Sequence, residues 1–337
     1  MKSQALILLI LIMMSNAITT KVIGGGSEFL VVITFNYIKP DVERLLCGGR
    51  VIGIVPEGVD PHDYQLRVSD IELLRSARLI VSTGHTGFEI SIKNLVKSGE
   101  LSARLIDIVE DILGLRMLTI PNTGQLNYHM PINDPVNYIA FITYLYNILL
   151  EIDSSNKDCY IRKYIDTMTV LYRDVLIHRN MVGFYAVADK PIAQYLLEWI
   201  GIRVLWILKP EEDYQPTPGD IDRVRELVSN RDIDVVVLTK PGDSPETRFL
   251  REIANEYNIP IIWIENPASS SGIIESLIQL IKGVIQIGSI HNLSEKQETT
   301  VMHTSNAILF VAIPASVLIG LISGILLARK RQGVKNA

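Results

Sequence analysis

Short runs of valine, isoleucine and other strand-forming residues recur along this chain, each followed by a stretch with helical periodicity, and that alternation specifies parallel α/β units. It comes in two series, with runs at residues 29–35, 51–55, 79–82 and 104–109, and again at 181–187, 203–208, 234–239 and 260–264. Helix starts punctuate both. Ser69-Asp70-Ile71-Glu72 fits a capping box opening a helix to about Ala77. Asp134-Pro135, Thr217-Pro218 and Ser244-Pro245 each pair a capping side chain with a first-turn proline. Between the series, one helix is expected from Asp134 through Glu151 and a second from about Lys157 to His178. In the second, Ile161, Ile165, Met168, Leu171 and Val175 recur every three or four residues, so it has one face to bury. The expected architecture is therefore α/β: two Rossmann-like parallel-sheet lobes, residues 28–150 and 181–290, joined by a long rigid backbone helix over 151–180.

A chain of 337 residues has room for two such lobes. Its mean hydropathy of +0.25 is high for a soluble protein and directs attention to segments destined for lipid. Residues 1–17 carry Lys2, an apolar run and a small-residue ending at Ala17, the pattern of an export signal. Residues 307–328 form an uncharged stretch long enough to span roughly 30 Å of hydrocarbon as a helix. Arg329, Lys330, Arg331 and Lys335 follow it, which places the 329–337 tail in the cytoplasm and everything upstream outside. Residues 291–306, polar and unpatterned, read as a stalk, in which His291 and His303 carry no pattern of a metal-gathering tail. Asn292-Leu293-Ser294 is a sequon on the outer side. No cysteine follows the signal segment to take a lipid, so the C-terminal transmembrane helix is expected to do the anchoring.

A net charge of −5 describes no basic patch, so nucleic acid is not an expected partner. The two cysteines, Cys47 and Cys159, are too far apart in sequence to form a metal knuckle; outside the cell they could pair. Neither H-E-x-x-H nor G-x-S-x-G occurs, so a metal-dependent or serine hydrolase is not indicated and no catalytic cofactor is expected.

Ligands of open α/β lobes bind beyond the carboxyl ends of the strands, and two facing lobes make a cleft there. In the stretch Val55-Pro56-Glu57-Gly58-Val59-Asp60-Pro61-His62-Asp63-Tyr64, directly after a strand, Asp60-Pro61 stiffens the chain ahead of His62. A neutral imidazole presented in that way suits a metal ion.

That stretch, followed by S-D-I-x-x-L and an apolar strand ending near Gly84 and Glu89, resembles the zinc- and manganese-binding solute-binding proteins of ABC transporters. The likeness runs along most of the chain between the two apolar ends. It implies that His62 is a metal ligand and that His129, in His129-Met130-Pro131-Ile132-Asn133-Asp134-Pro135, is a second. It implies further that the helix after Glu151 is a spine limiting movement between the lobes. For the third position the family uses a histidine or glutamate about eleven residues before a glycine matching Gly201; here Ala188-Asp189-Lys190-Pro191 offers only Asp189. Glu265, after the strand ending at Ile264, matches the family's fourth position, and His85 in Thr83-Gly84-His85-Thr86-Gly87 stands as an alternative donor of the missing nitrogen. The family's histidine-rich loop is absent, since residues 115–125 contain no histidine.

The resemblance thus implies an extracytoplasmic binding protein, not an enzyme, that carries Zn2+ or Mn2+ as transported ligand to an ABC permease. The altered third position keeps open an alternative: a surface adhesion or assembly protein of the same fold that has lost the metal.

Overall fold

The computed structural model describes residues 29–266, 269 and 271–288 of the chain. The expected signal segment, the stalk with its sequon and two histidines, the transmembrane helix and the basic tail lie outside these residues. Among the described residues, no helix is long and apolar enough to cross a membrane.

Two four-stranded, all-parallel sheets form. The first contains β1 (Leu30–Ile33), β2 (Arg50–Gly53), β3 (Leu79–Ser82) and β4 (Arg104–Asp107) in the order β2-β1-β3-β4. The second contains β5 (Phe184–Ala188), β6 (Ile202–Ile207), β7 (Val235–Thr239) and β8 (Ile261–Ile264) in the order β6-β5-β7-β8. Each lobe thus doubles back once, between its first and third strands, and that reversal leaves a crevice at the carboxyl edge where ligands sit.

Both faces of each sheet are covered, which explains the continuous apolar runs in the central strands. In β1, Val31 and Ile33 face a central apolar layer while Leu30 and Val32 face an outer one built on Phe88 and Ile92. In β7, Val235 and Val237 join the same central layer, and Val236 and Leu238 face an outer layer with Leu227 and Leu250. Burying each such side chain contributes about 1.5–3 kcal/mol. One apolar layer is therefore shared by both lobes.

Helices fill that layer. Asp134 caps a long helix, Pro135–Ile152, by accepting from the amides of Val136 and Asn137. Its Tyr138, Phe141, Ile142, Leu145 and Leu149 are all fully buried in the shared layer. The next helix, Lys157–Val170, widens into a π turn at Leu171–Val175 and ends in a 3-10 turn at Leu176–His178. Cys159 near its start is disulfide-bonded to Cys47, just past the helix Lys39–Leu45, with the two Cα atoms 6.1 Å apart. In that short helix the buried Asp41 accepts from the Tyr138 hydroxyl at 2.7 Å and from the Ile273 amide at 2.9 Å. Ile273 opens the last described helix, residues 273–288, so one carboxylate ties three helices together. Desolvation raises that carboxyl to about 6.

One helix start departs from expectation. The helix after β2 runs Val68–Ser76, and the carboxylate that caps it is Asp70, accepting from the Arg67 amide at 2.8 Å and the Tyr64 hydroxyl at 2.7 Å. Ser69 and Glu72 lie inside the helix, exposed. The bond from the Tyr64 hydroxyl to Asp70 favours the start two residues earlier.

Candidate metal centre

Loops at the carboxyl ends of both sheets line one cleft of about 260 Å³. The loop after β2 contributes His62 and the loop after β3 contributes His85. His129 comes from the connection that precedes the long helix at Pro135, and across from these stand Lys190, after β5, and Glu211 and Glu212, after β6. His62, His85 and His129 each offer a ligand atom, and these three atoms lie within 4.8 Å of one another. Their ring centroids are 5.5, 5.8 and 5.6 Å apart, close to an equilateral triangle.

Each ring is held by an acceptor two residues upstream. Asp60 Oδ1 takes the His62 backbone amide at 2.9 Å and lies 3.1 Å from its Nδ1. Asn127 Oδ1 does the same for His129, at 3.0 Å from the amide and 3.2 Å from Nδ1. The Asn127 amide group must be oriented that way, because its Nδ2 donates to the Pro191 carbonyl at 2.8 Å and to Gln194 Oε1 at 3.0 Å. His85 Nδ1 lies 3.1 Å from Thr83 Oγ1, and that hydroxyl spends its own proton on the Glu89 carboxylate at 2.8 and 2.9 Å. In the neutral rings all three Nδ1 atoms therefore carry the hydrogen, which leaves the lone pairs on Nε2. An acceptor fixing the far nitrogen of a metal-binding imidazole sets both its tautomer and its aim.

The backbone is shaped to the same end. Glu89, buried, accepts from the amides of Thr83, His85 and Thr86 and so folds the loop after β3 around itself. Within that loop Gly84 has φ +85°, and a Cβ there would stand 2.1 Å from Asp107 Oδ1. Only glycine fits between the anchoring Thr83 and His85. Met130, directly after His129, is a left-handed non-glycine residue at φ 53°, a conformation that costs about 1–2 kcal/mol and holds the chain turned at the site.

Electrostatics keep two of the rings neutral. Burial pushes His129 down to about 3, with the neighbouring imidazoles adding to the effect, and burial likewise lowers His85. His62, nearer the mouth, is shifted upward by its hydrogen bond to Asp60, whose carboxyl is held at about 2 chiefly by the same bond. Phe35 stacks on His85 with ring planes 7° apart and centroids 6.1 Å apart, giving the site an apolar wall.

Of the four residues expected to face an ion, the structure brings together His62 and His129. It adds His85, which the sequence left as a polar loop residue or a substitute donor. Asp189 is fully buried and does not line the cleft; its oxygens accept from the Thr239 amide and hydroxyl at 2.7 and 2.8 Å and from the Thr247 hydroxyl at 2.7 Å. It braces the second lobe, and burial raises its carboxyl above the usual range. Glu265 accepts from Lys240 Nζ at 2.7 Å, while its neighbour Asn266 is the one that lines the cleft. The signal that reveals His85 is the spacing shared by all three histidines: Asp60-x-His62, Thr83-x-His85 and Asn127-x-His129.

Residues 31–304 match the family described as zinc-uptake complex component A, periplasmic (ZnuA). The manganese-binding lipoprotein MntA of Halalkalibacterium halodurans is 24% identical over 253 residues, covering 69% of this chain and 78% of the relative. The manganese ABC transporter substrate-binding lipoprotein PsaA of Streptococcus pneumoniae is 23% identical over 255 residues, covering 70% and 79%. Among solved structures, the periplasmic zinc-binding protein TroA from Treponema pallidum superposes with a TM-score of 0.63 at 16% identity, covering 78% of this chain and 98% of its own. FpvC from Pseudomonas aeruginosa, solved in complex with Mn2+, gives 0.62 at 17% identity with the same two coverages. At these identities the structural matches establish the fold.

Proposed function

The chain belongs to the periplasmic zinc-uptake component A family, and from that premise we propose that it captures a divalent transition-metal ion outside the cell and hands it to an ABC-type permease. The observation that carries this reading is that His62, His85 and His129 each bring a ligand atom within 4.8 Å of the others, each ring held at Nδ1, in a cleft between two lobes. His62, His85 and His129 are the proposed ligands. Three imidazole nitrogens favour zinc over manganese, which prefers oxygen donors. Relatives named for manganese and zinc support a divalent ion as cargo. The chain performs no turnover in this reading. The uncharged segment 307–328 with its basic flank supports anchoring by a single transmembrane helix, with the lobes facing outward.

Equilibrium metal analysis of the purified chain tests this. One zinc ion per chain is expected, with a rise in melting temperature; at a hundredfold excess over the dissociation constant the stabilisation is about 2.7 kcal/mol. His62→Ala and His85→Ala should both lose the ion and the rise. A folded protein that takes up no transition ion and melts at an unchanged temperature overturns the reading and leaves a surface protein of the same fold.

A further inference from the structure

Resting on that reading, we propose that Glu211 supplies the second lobe's ligand to the ion held by His62, His85 and His129. Glu211 Oε2 lies 3.7 Å from His129 Nε2, on the side of the ring that Asn127 leaves free. Donors about 2.0–2.2 Å from a tetrahedral zinc ion stand about 3.4 Å from one another, so this carboxylate is already near ligand spacing.

Its neighbours are committed elsewhere. Glu212 Oε1 pairs with Lys209 Nζ at 2.6 Å and its Oε2 with Lys190 Nζ at 3.9 Å. Glu265 is held by Lys240, and Asp189 by Thr239 and Thr247. Among the described residues, the ion-pair contact of the Glu211 carboxylate is to His129 alone. Lys190 and Lys209 thus occupy Glu212 and leave Glu211 facing the imidazoles.

The segment that carries it is fixed to the second lobe at both ends. The Lys209 amide donates to the Asp189 carbonyl at 3.0 Å, and the Tyr214 hydroxyl donates to Asp220 at 2.7 Å in the first turn of the helix Pro218–Ser229. The Glu211 carbonyl accepts from the Tyr214 amide at 3.1 Å, closing the turn between them. An ion bound by three nitrogens and this oxygen would therefore bridge the lobes, although the donor comes from the loop after β6 and from neither strand end that the sequence indicated.

Zinc affinity, read by chelator competition on the full chain in detergent, and the visible spectrum of the Co2+-loaded protein test the proposal in the wild type, Glu211→Gln, Glu211→Asp and Glu265→Gln. Removing groups that merely orient ligands costs 10–100-fold in affinity, so loss of a direct ligand should cost at least about 100-fold. Glu211→Gln is expected to show that loss and an altered Co2+ spectrum, Glu211→Asp to recover part of both, and Glu265→Gln to match the wild type. A Glu211→Gln protein with wild-type zinc affinity and spectrum overturns the assignment while leaving the receptor reading intact. A wild type that binds no ion overturns both.

Discussion

Replacing Thr83 by valine removes one hydroxyl and leaves the shape of the side chain almost unchanged, yet two bonds depend on that oxygen. Its hydrogen goes to the buried Glu89 carboxylate, and its lone pair receives His85 Nδ1 at 3.1 Å. Glu89 keeps its other donors, Ser82 Oγ and Thr86 Oγ1 together with three amides, so the loop after β3 should still fold. A hydrogen bond to a charged group contributes about 1.5–3 kcal/mol, and for a domain of this size each kcal/mol moves the melting temperature by about 2–4 °C. The apo protein should therefore melt about 3–12 °C lower. Zinc affinity should fall separately, by about 10–100-fold, because the ring loses the partner that fixes its tautomer. Imidazole nitrogen NMR of the apo protein gives the third readout, with His85 changing from one Nδ1–H form to a mixture. A Thr83→Val protein that melts lower but binds zinc as tightly as the wild type would refute the argument that His85 is an Nε2 ligand held by Thr83.

The pH dependence of zinc binding should report one proton rather than three. His85 and His129 are lowered by burial and stay neutral on the mildly acidic side of pH 7, whereas His62 is raised by Asp60 and must release its proton to the ion. Log affinity should then fall by about one unit per pH unit below the raised value of His62 and level off above it; titration calorimetry in buffers of different ionisation enthalpy counts the protons, and a slope near three would refute the assignment. Asp189→Asn places an amide NH2 among three donors in the second lobe and should lower the urea midpoint, by about 1–3 kcal/mol of stability, while the folded protein still binds one zinc; loss of zinc with unchanged stability would restore Asp189 as a ligand. Cys47→Ser with Cys159→Ser opens a cross-link between residues 112 apart. The chain-entropy argument puts its contribution at about 4–5 kcal/mol, measurable as a lower urea midpoint that matches the reduced wild type.

Much of the fold was legible because local rules and tertiary structure agree. The eight strands lie within a few residues of the β-branched runs, and Asp134-Pro135, Thr217-Pro218 and Ser244-Pro245 open helices as their chemistry dictates. The capping box at Ser69 failed because Asp70, held by the Tyr64 hydroxyl and the Arg67 amide, caps instead, and apolar periodicity does not register a polar side-chain contact of that kind. At the site, His62 and His129 could be placed by motif, since each sits in a loop that proline stiffens. Asp189 and Glu265 stand at the strand ends where a donor was expected, but Thr239, Thr247 and Lys240 turn their carboxylates away, and those partners lie 25 to 58 residues along the chain. His85 was readable in principle from the acceptor two residues before it. The proposed role of Glu211 was not, because its availability depends on which of two adjacent glutamates Lys190 and Lys209 take up.

The central apolar layer shared by the two sheets bears on how the proposed cargo would leave. Swinging the halves apart would wet Tyr138, Phe141, Ile142 and Leu145, four side chains now shielded completely from water, at about 1.5–3 kcal/mol apiece. If Glu211 is the fourth ligand proposed above, unloading would be more economical as a small displacement at the rim, where a short surface segment withdraws one oxygen and leaves the ion with nitrogen donors from a single half. A permease gripping that segment could trigger the discharge without prying the molecule open.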